Sequence, residues 1–325
     1  MDPSRRATLA AVTGLFAAPR LARAQAAAWP PGRPIRLVVP FAAAGSSDVL
    51  GRYLAERLQR HLAQPVVVEN RPGAGGTVGA AEVARAAPDG TTFLIITTNH
   101  AINETLQPRR GYTLLRDFTP VASINALPLA LAVSNSVPAR SVAELVAHAK
   151  ANPGRLDYAT SGPGSLYHLF TELFARRTGI EMQHIPFRNF NEGRTALIAG
   201  QVQVMFDAAF TLAPLIQEGR IRGLATTDTQ RVPILPDLPL LSESVPGMTA
   251  TLWNGLLGPA GLPRPVTEGM NAALNRVLTD PETVEAQAKL GAVVRPMTPE
   301  AFAEFLRREI EAQAEAVRIA GVQPE

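Results

Sequence analysis

Apolar residues fall in short blocks along this chain, and stretches of helical spacing separate the blocks. Ile35 to Val39 predicts a strand, and a helical pattern begins near Ser46. Val66 to Glu69 predicts a second strand, followed by a glycine-rich turn and the alanine-rich stretch 77–87. Thr92 to Thr97 predicts a third. These strands show no polar alternation, so both of their faces are buried, which argues for a parallel sheet flanked by helices.

Leu127 to Val133 is a further apolar run, and the rhythm then starts again. Helices are expected over 141–151, 165–177 and 192–199. Strands are expected near 156–160, near 182–186, over Val202 to Phe206 and over Gly223 to Thr226. Residues 228–248, rich in Pro, Asp and Ser, predict a connecting loop. Trp253 to Leu257 is apolar once more, and helical patterns over 264–290 and 298–320 finish the chain.

Two α/β units fit this order. The first has too few helices to cover both faces of its sheet, so the C-terminal helices are expected to pack on it. The chain then crosses to the second unit near residue 125 and returns near 250. Domain 1 is expected over 25–125 plus 251–325, and domain 2 over 126–250. Two crossings make a hinge, and a hinge between α/β lobes makes a cleft.

The length of 325 residues suits two domains, and 46% apolar residues can bury a sizeable core. Cysteine is absent, which excludes disulfides, thiol catalysis and zinc–thiolate sites. No run of about 20 apolar residues could span a membrane. His61, His100, His148, His168 and His184 never stand four apart, so no helical metal pair is expected, and no cofactor either. The first 24 residues read as an export signal. Arg5 and Arg6 precede the apolar stretch Ala7 to Ala18, and Ala22-Arg23-Ala24 is a cleavage site that would leave Gln25 first. Ser4 to Leu9 resembles a twin-arginine signal, with general secretion as the alternative route. The expected location is the periplasm. The formal charge of +3 lies wholly in this segment, where Arg5, Arg6, Arg20 and Arg23 oppose Asp2. The mature chain is then neutral, and composition gives no support for nucleic-acid binding.

Several segments resemble the Bug, or TctC-like, family of extracytoplasmic solute receptors of tripartite tricarboxylate transporters. They are Pro34 to Phe41, Gly45 to Leu50, Val67 to Gly76, Ala87 to Thr92, Asn99 to Asn103, Tyr158 to Ser165, Gly200 to Val202 and Trp253 to Gly261. The pieces run in order over nearly the whole mature chain. The resemblance implies a type II periplasmic binding protein, with two Rossmann-like lobes joined by two crossover strands. It also implies a small carboxylate ligand, delivery to membrane permease subunits, and no enzymatic activity. The chain reads as a monomer.

Four places could hold such a ligand. The loop after the first strand contains Phe41, Ala43, Ala44, Gly45, Ser46 and Asp48. Its small residues admit a ligand to the backbone, and a helix then presents free N–H groups to an anion. Simple capping of the helix by Ser46 or Ser47 is the alternative, and the resemblance favours the ligand. Family members commonly have Pro-Gly-Gly where Ala43-Ala44-Gly45 stands. The segment after the third strand, with Thr98, Asn99, His100 and Ala101, lies at the same carboxyl edge. The turn with Ser161, Gly162, Gly164 and Ser165 runs into a helix bearing His168, repeating the first loop's logic. A catalytic Ser165–His168 pair lacks a third orienting group. Asp207, expected just after a strand, faces the cleft by the resemblance and would meet an ammonium, a hydroxyl or a water. Phe190, where the family differs, would stack on an aromatic ligand or fill the space between the lobes.

Two rival functions have sequence support. Gly73-Ala74-Gly75-Gly76 follows a strand and opens a helix, as in a nicotinamide-dependent enzyme. However, Val78 stands where the third glycine of that fingerprint belongs. A receptor that reports ligand to a membrane sensor would have the same fold.

Overall fold

The computed structural model describes residues 29–323 apart from Pro31, Ala44, Ser161, Arg188 and Asn189. The expected signal segment lies outside the described residues. In chain order the elements are β1 (Ile35–Val39), α1 (Ser46–Leu62), β2 (Val66–Asn70), α2 (Thr77–Ala84), β3 (Thr92–Thr97), α3 (Thr98–Leu106), α4 (Leu114–Asp117) and β4 (Phe118–Val133). Then follow α5 (Val142–Ala151), β5 (Leu156–Thr160), α6 (Leu166–Thr178), β6 (Met182–Pro186), α7 (Phe190–Ile198), β7 (Val204–Ala208), α8 (Ala209–Gln217) and β8 (Arg222–Thr226). The last are α9 (Leu241–Ser244), β9 (Thr251–Pro259), α10 (Arg264–Thr279), α11 (Pro281–Lys289), β10 (Val293–Val294) and α12 (Pro299–Ala320).

The strands form two sheets that share β4. In the first, β2, β1 and β3 run parallel, and β9 joins antiparallel to β3 and to the first part of β4. In the second, β6, β5 and β7 run parallel, and β7 and β8 flank the last part of β4 in antiparallel pairing. Strand β4 changes partners within one step. Pro128 pairs with Thr251 of β9, and Leu129 pairs with Ala208 of β7. Each sheet is therefore mixed rather than wholly parallel, because both crossover strands must run against their neighbours.

The 16-residue strand β4 extends well before the apolar run that marks it in the sequence. Pro120, Ser123 and Asn125 interrupt the apolar pattern there, and the register shifts twice in the same stretch. Asn125 is buried but satisfied. It donates to Gln287 and accepts from Asn254, both at 2.7 Å. Stretch 264–290 is two helices, since Asp280 caps the second through the Glu282 N–H and Pro281 begins it. Strand β7 ends at Ala208, so Asp207 lies inside the strand and not after it. No loop follows β3: α3 begins at Thr98.

Helix α12 ties the two halves together. Its early residues Phe302 and Leu306 join a core cluster with Val38, Leu94 and Trp253. Its late residues Ala316 and Val317 join a different cluster with Phe170, Phe174 and Phe206. A helix of 22 residues is about 33 Å long, enough to span both cores. Among the described residues no helix is long and apolar enough to cross a membrane.

Candidate functional site

The strand directions fix where the two halves face each other. Thr97 at the end of β3 pairs with Asn254, near the start of β9 and the crossover. Ala208 at the end of β7 pairs with Leu129, also at the crossover. The carboxyl edges of both parallel sets therefore point toward one another. That is the edge at which open α/β sheets bind ligands.

On the first sheet, the turn after β1 is open. Ala43, Gly45 and Ser46 are exposed and Phe41 is half-buried; Ala44 lies outside the described residues. Gly45 is the N-cap of α1, and no side chain caps the helix. The capping alternative for Ser46 and Ser47 is therefore not what forms. The N–H groups of Ser46 and Ser47 at the start of α1, with the positive end of the helix dipole, suit an anion. Asp48 is buried and serves the scaffold. Its carboxylate accepts from Asn70 Nδ2 at 3.0 Å and from Arg52 Nε at 3.1 Å. The same Asn70 amide donates to the Phe41 carbonyl at 3.1 Å, which fixes the loop.

His100 is fully buried beside this loop. Its Nδ1 accepts from the Thr97 N–H at 3.1 Å, so the ring is neutral with its proton on Nε2. Burial pushes its pKa down to about 4. The ring meets Phe41 edge to face at 5.9 Å between centroids. Gly76 packs on it so closely that a Cβ there would lie 3.0 Å from Nε2. Thr98 and Ala101 are fully buried. The Thr98 hydroxyl accepts from the Trp253 N–H at 3.0 Å. Asn99 is exposed at the start of α3.

On the second sheet, the turn after β5 is braced from below. The Ser165 hydroxyl accepts from the His168 N–H at 3.3 Å, which caps α6, and donates to the Gly162 carbonyl at 2.9 Å. The Gly164 N–H donates to His168 Nδ1 at 3.2 Å. Ser165 and His168 thus shape the turn, while Ser161 lies outside the described residues. His168 stacks on His184 at 4.2 Å, and His184 on Tyr158 at 5.1 Å. Thr160 Oγ1 lies 2.5 Å from His184 Nε2 and accepts from the Gly162 N–H at 3.1 Å. Burial lowers the pKa of both histidines. For His184, with His168 against it, the value falls to about 4.

Asp207 is buried and engaged. Arg194 Nη1 donates to Oδ2 at 2.5 Å, the Thr211 hydroxyl to the same oxygen at 3.0 Å, and the Ala208 N–H to Oδ1 at 2.7 Å. Burial pushes this carboxyl upward, and Arg194 pulls against that. Phe190, half-buried, packs against Tyr167 with 4.2 Å between ring centroids. The sequence analysis does not single out Arg194 or Tyr167, and it places Gly76 and Asn70 only in the glycine-rich turn after the second strand. Tyr167 stands two residues after Ser165, in the first turn of α6, and that position is a usable signal. Nothing in the local pattern marked Arg194, whose partner is 13 residues away.

Two surface hollows of about 430 and 540 Å³ are found among the described residues. One sits on the outer side of α7 beside Asn191 and Gln201, the other between α5 and the end of α6. Among the described residues, no group of three or more His, Asp or Glu could hold a metal.

Comparison with known proteins gives a consistent result. The family model described as tripartite tricarboxylate transporter family receptor matches residues 50–321. Protein BugT of Bordetella pertussis is 35% identical over 317 residues, 96% of this chain and 97% of BugT. A solved R. palustris protein with adipate is 34% identical, with a TM-score of 0.77, covering 92% of this chain and all of the other. MatC of Rhodopseudomonas palustris, solved with bound malate, is 32% identical with a TM-score of 0.72, covering 88% of this chain and 99% of MatC.

Proposed function

This chain belongs to the tripartite tricarboxylate transporter receptors, the TctC or Bug solute-binding proteins, and from that premise we propose that it captures a small carboxylate between its two sheets for a membrane permease. The observation that carries the reading is the pair of facing carboxyl edges, with the uncapped start of α1 at Gly45 on one side. A carboxylate docks on the α1 N–H groups beside Phe41. The second half then closes through the turn at Gly162 to Ser165 and the region of Phe190 and Asp207. Closure removes water and strengthens every hydrogen bond to the ligand. The hinge is the stretch where β4 changes partners, near residue 128, together with the start of β9 near 251. In this reading the lobes run over 25–125 plus 251–325 and over 126–250. The chain acts outside the cytoplasmic membrane after loss of residues 1–24, and it binds without catalysing a reaction.

A thermal-shift screen of the purified protein against mono-, di- and tricarboxylates tests this directly. Ligand at 100 times its Kd adds about 2.7 kcal/mol, a visible rise in the midpoint. A rise with one acid class is expected. A rise with a nicotinamide cofactor alone would point instead to an enzyme.

A further inference from the structure

At the carboxyl edge of the second sheet, a carboxylate that could greet a ligand's ammonium group is already taken. Asp207 holds three protein donors, from Arg194, Thr211 and Ala208, so little acceptor capacity remains. The order of exposure matters as much. The Asp207 side chain is 3% exposed and that of Arg194 is 19% exposed, so the guanidinium is what an incoming molecule meets first. Its second amino group is held by Asn191, one turn earlier on α7. That leaves the planar cation fixed at the end of β7, where Ala208 pairs with Leu129 beside the crossover. Tyr167 and Phe190 form an apolar wall on the same side.

We propose that Arg194 is the residue that selects by charge: it masks Asp207, so that the cleft takes carboxylic acids without an amino group and rejects amino acids of the same shape. This rests on the receptor reading above and narrows its ligand class. The physical basis is that an ammonium brought to this edge loses water, meets a like charge first and finds little acceptor capacity behind it. A second carboxylate, or a hydroxyl, pays neither penalty and gains the guanidinium's outer N–H groups.

The experiment is calorimetric titration of the purified protein with matched acids: malate against aspartate, and adipate against 2-aminoadipate. Each pair differs in its ammonium group at nearly constant shape. In the wild-type protein the amine-free acid of a binding pair is expected to bind about tenfold or more tightly than its twin. In Arg194→Met that ratio is expected to fall by about tenfold, and Arg194→Lys is expected to keep it within about threefold, because the positive charge is retained. Equal binding of the twins by wild type overturns the inference, and so does an unchanged ratio in Arg194→Met. If Arg194→Met does not fold, the wild-type ratios and the Lys variant decide. If no mono-, di- or tricarboxylate in the same series binds at all, the receptor reading itself falls and this inference with it.

Discussion

Arg295 donates to Oδ1 of Asp228 at 2.7 Å, and this pair joins the segment after β8 to the segment after β10. It therefore bridges the two halves near the crossover strands. Close by, the Thr227 hydroxyl takes the Leu129 N–H at 2.9 Å and donates to the Ala250 carbonyl at 2.6 Å. The two crossover strands and the chain between the halves thus share one hydrogen-bonded knot.

Arg295→Met should loosen that knot. The Asp228 side chain is only 4% exposed and would keep just the N–H and hydroxyl of Thr229. Loss of a charge-assisted bond to a nearly buried carboxylate costs about 2 to 3 kcal/mol. Urea unfolding measures it, and a change below about 0.5 kcal/mol would place the bond among ordinary surface pairs.

Stability should fall in mild acid. His100 and His184 both have folded pKa values lowered to about 4, from the ordinary 6.5. The unfolded chain therefore takes up protons more readily than the folded one. The contribution is complete above pH 6.5 and declines as pH drops from there toward 4. For His100, which is fully buried, the loss is on the order of 2 to 3 kcal/mol. Unfolding free energies at pH 7 and pH 4.5 check this. His100→Asn keeps an acceptor for the Thr97 N–H and should flatten the decline; an equally steep decline in that variant would assign it to other groups.

Most of the architecture could be read from the chain because apolar runs on doubly covered strands are a strong signal. The strands at 35–39, 92–97, 156–160 and 182–186 have the bounds that the pattern predicts. The pattern fails where a strand carries polar residues for tertiary reasons. The first half of β4 contains Ser123 and Asn125, and the partners of Asn125 come from β9 and α11, which no local spacing reveals. The same limit applies to the site. Glycine turns and helix starts were visible, whereas the masking of Asp207 by Arg194 depends on a helix folding back over its own sheet.

Gly76→Ala should damage the ligand edge of the first sheet more than its fold. Gly76 has φ of +97°, and an alanine Cβ would lie 3.0 Å from His100 Nε2 and 3.3 Å from Phe41 Cζ. His100 cannot retreat, because it is fully buried and tied to Thr97. Phe41 must move, and with it the turn that leads to Gly45. Backbone strain and crowding together cost about 2 kcal/mol. Affinity for the bound acid should drop by about tenfold or more, beyond what that destabilisation explains, if the β1–α1 turn holds the carboxylate. Unchanged affinity in a folded variant would move the anchor elsewhere.

Gly164 meets the other half of the molecule directly. It has φ of +72°, and a Cβ there would lie 2.8 Å from Leu106 Cδ1, at the end of α3. Gly164 belongs to the turn of the second sheet and Leu106 to the first half, so their contact measures how closely the halves approach. In Gly164→Ala two effects combine. The backbone is strained by about 1 kcal/mol, as for any side chain in the left-handed region. The added methyl also presses on Leu106, and the pressure is relieved by opening the cleft. Strain alone lowers stability and leaves the shape unchanged, whereas opening lowers affinity and increases the radius of gyration. Small-angle scattering with and without ligand separates the two. The expected outcome is a larger unliganded radius and an affinity loss of several-fold, about 1 kcal/mol. Leu106→Ala in the same protein removes the obstructing methyls and should restore most of the affinity while leaving the backbone strain in place. If the double variant binds as poorly as Gly164→Ala alone, the loss comes from the distorted turn, and the Gly164–Leu106 contact does not limit closure.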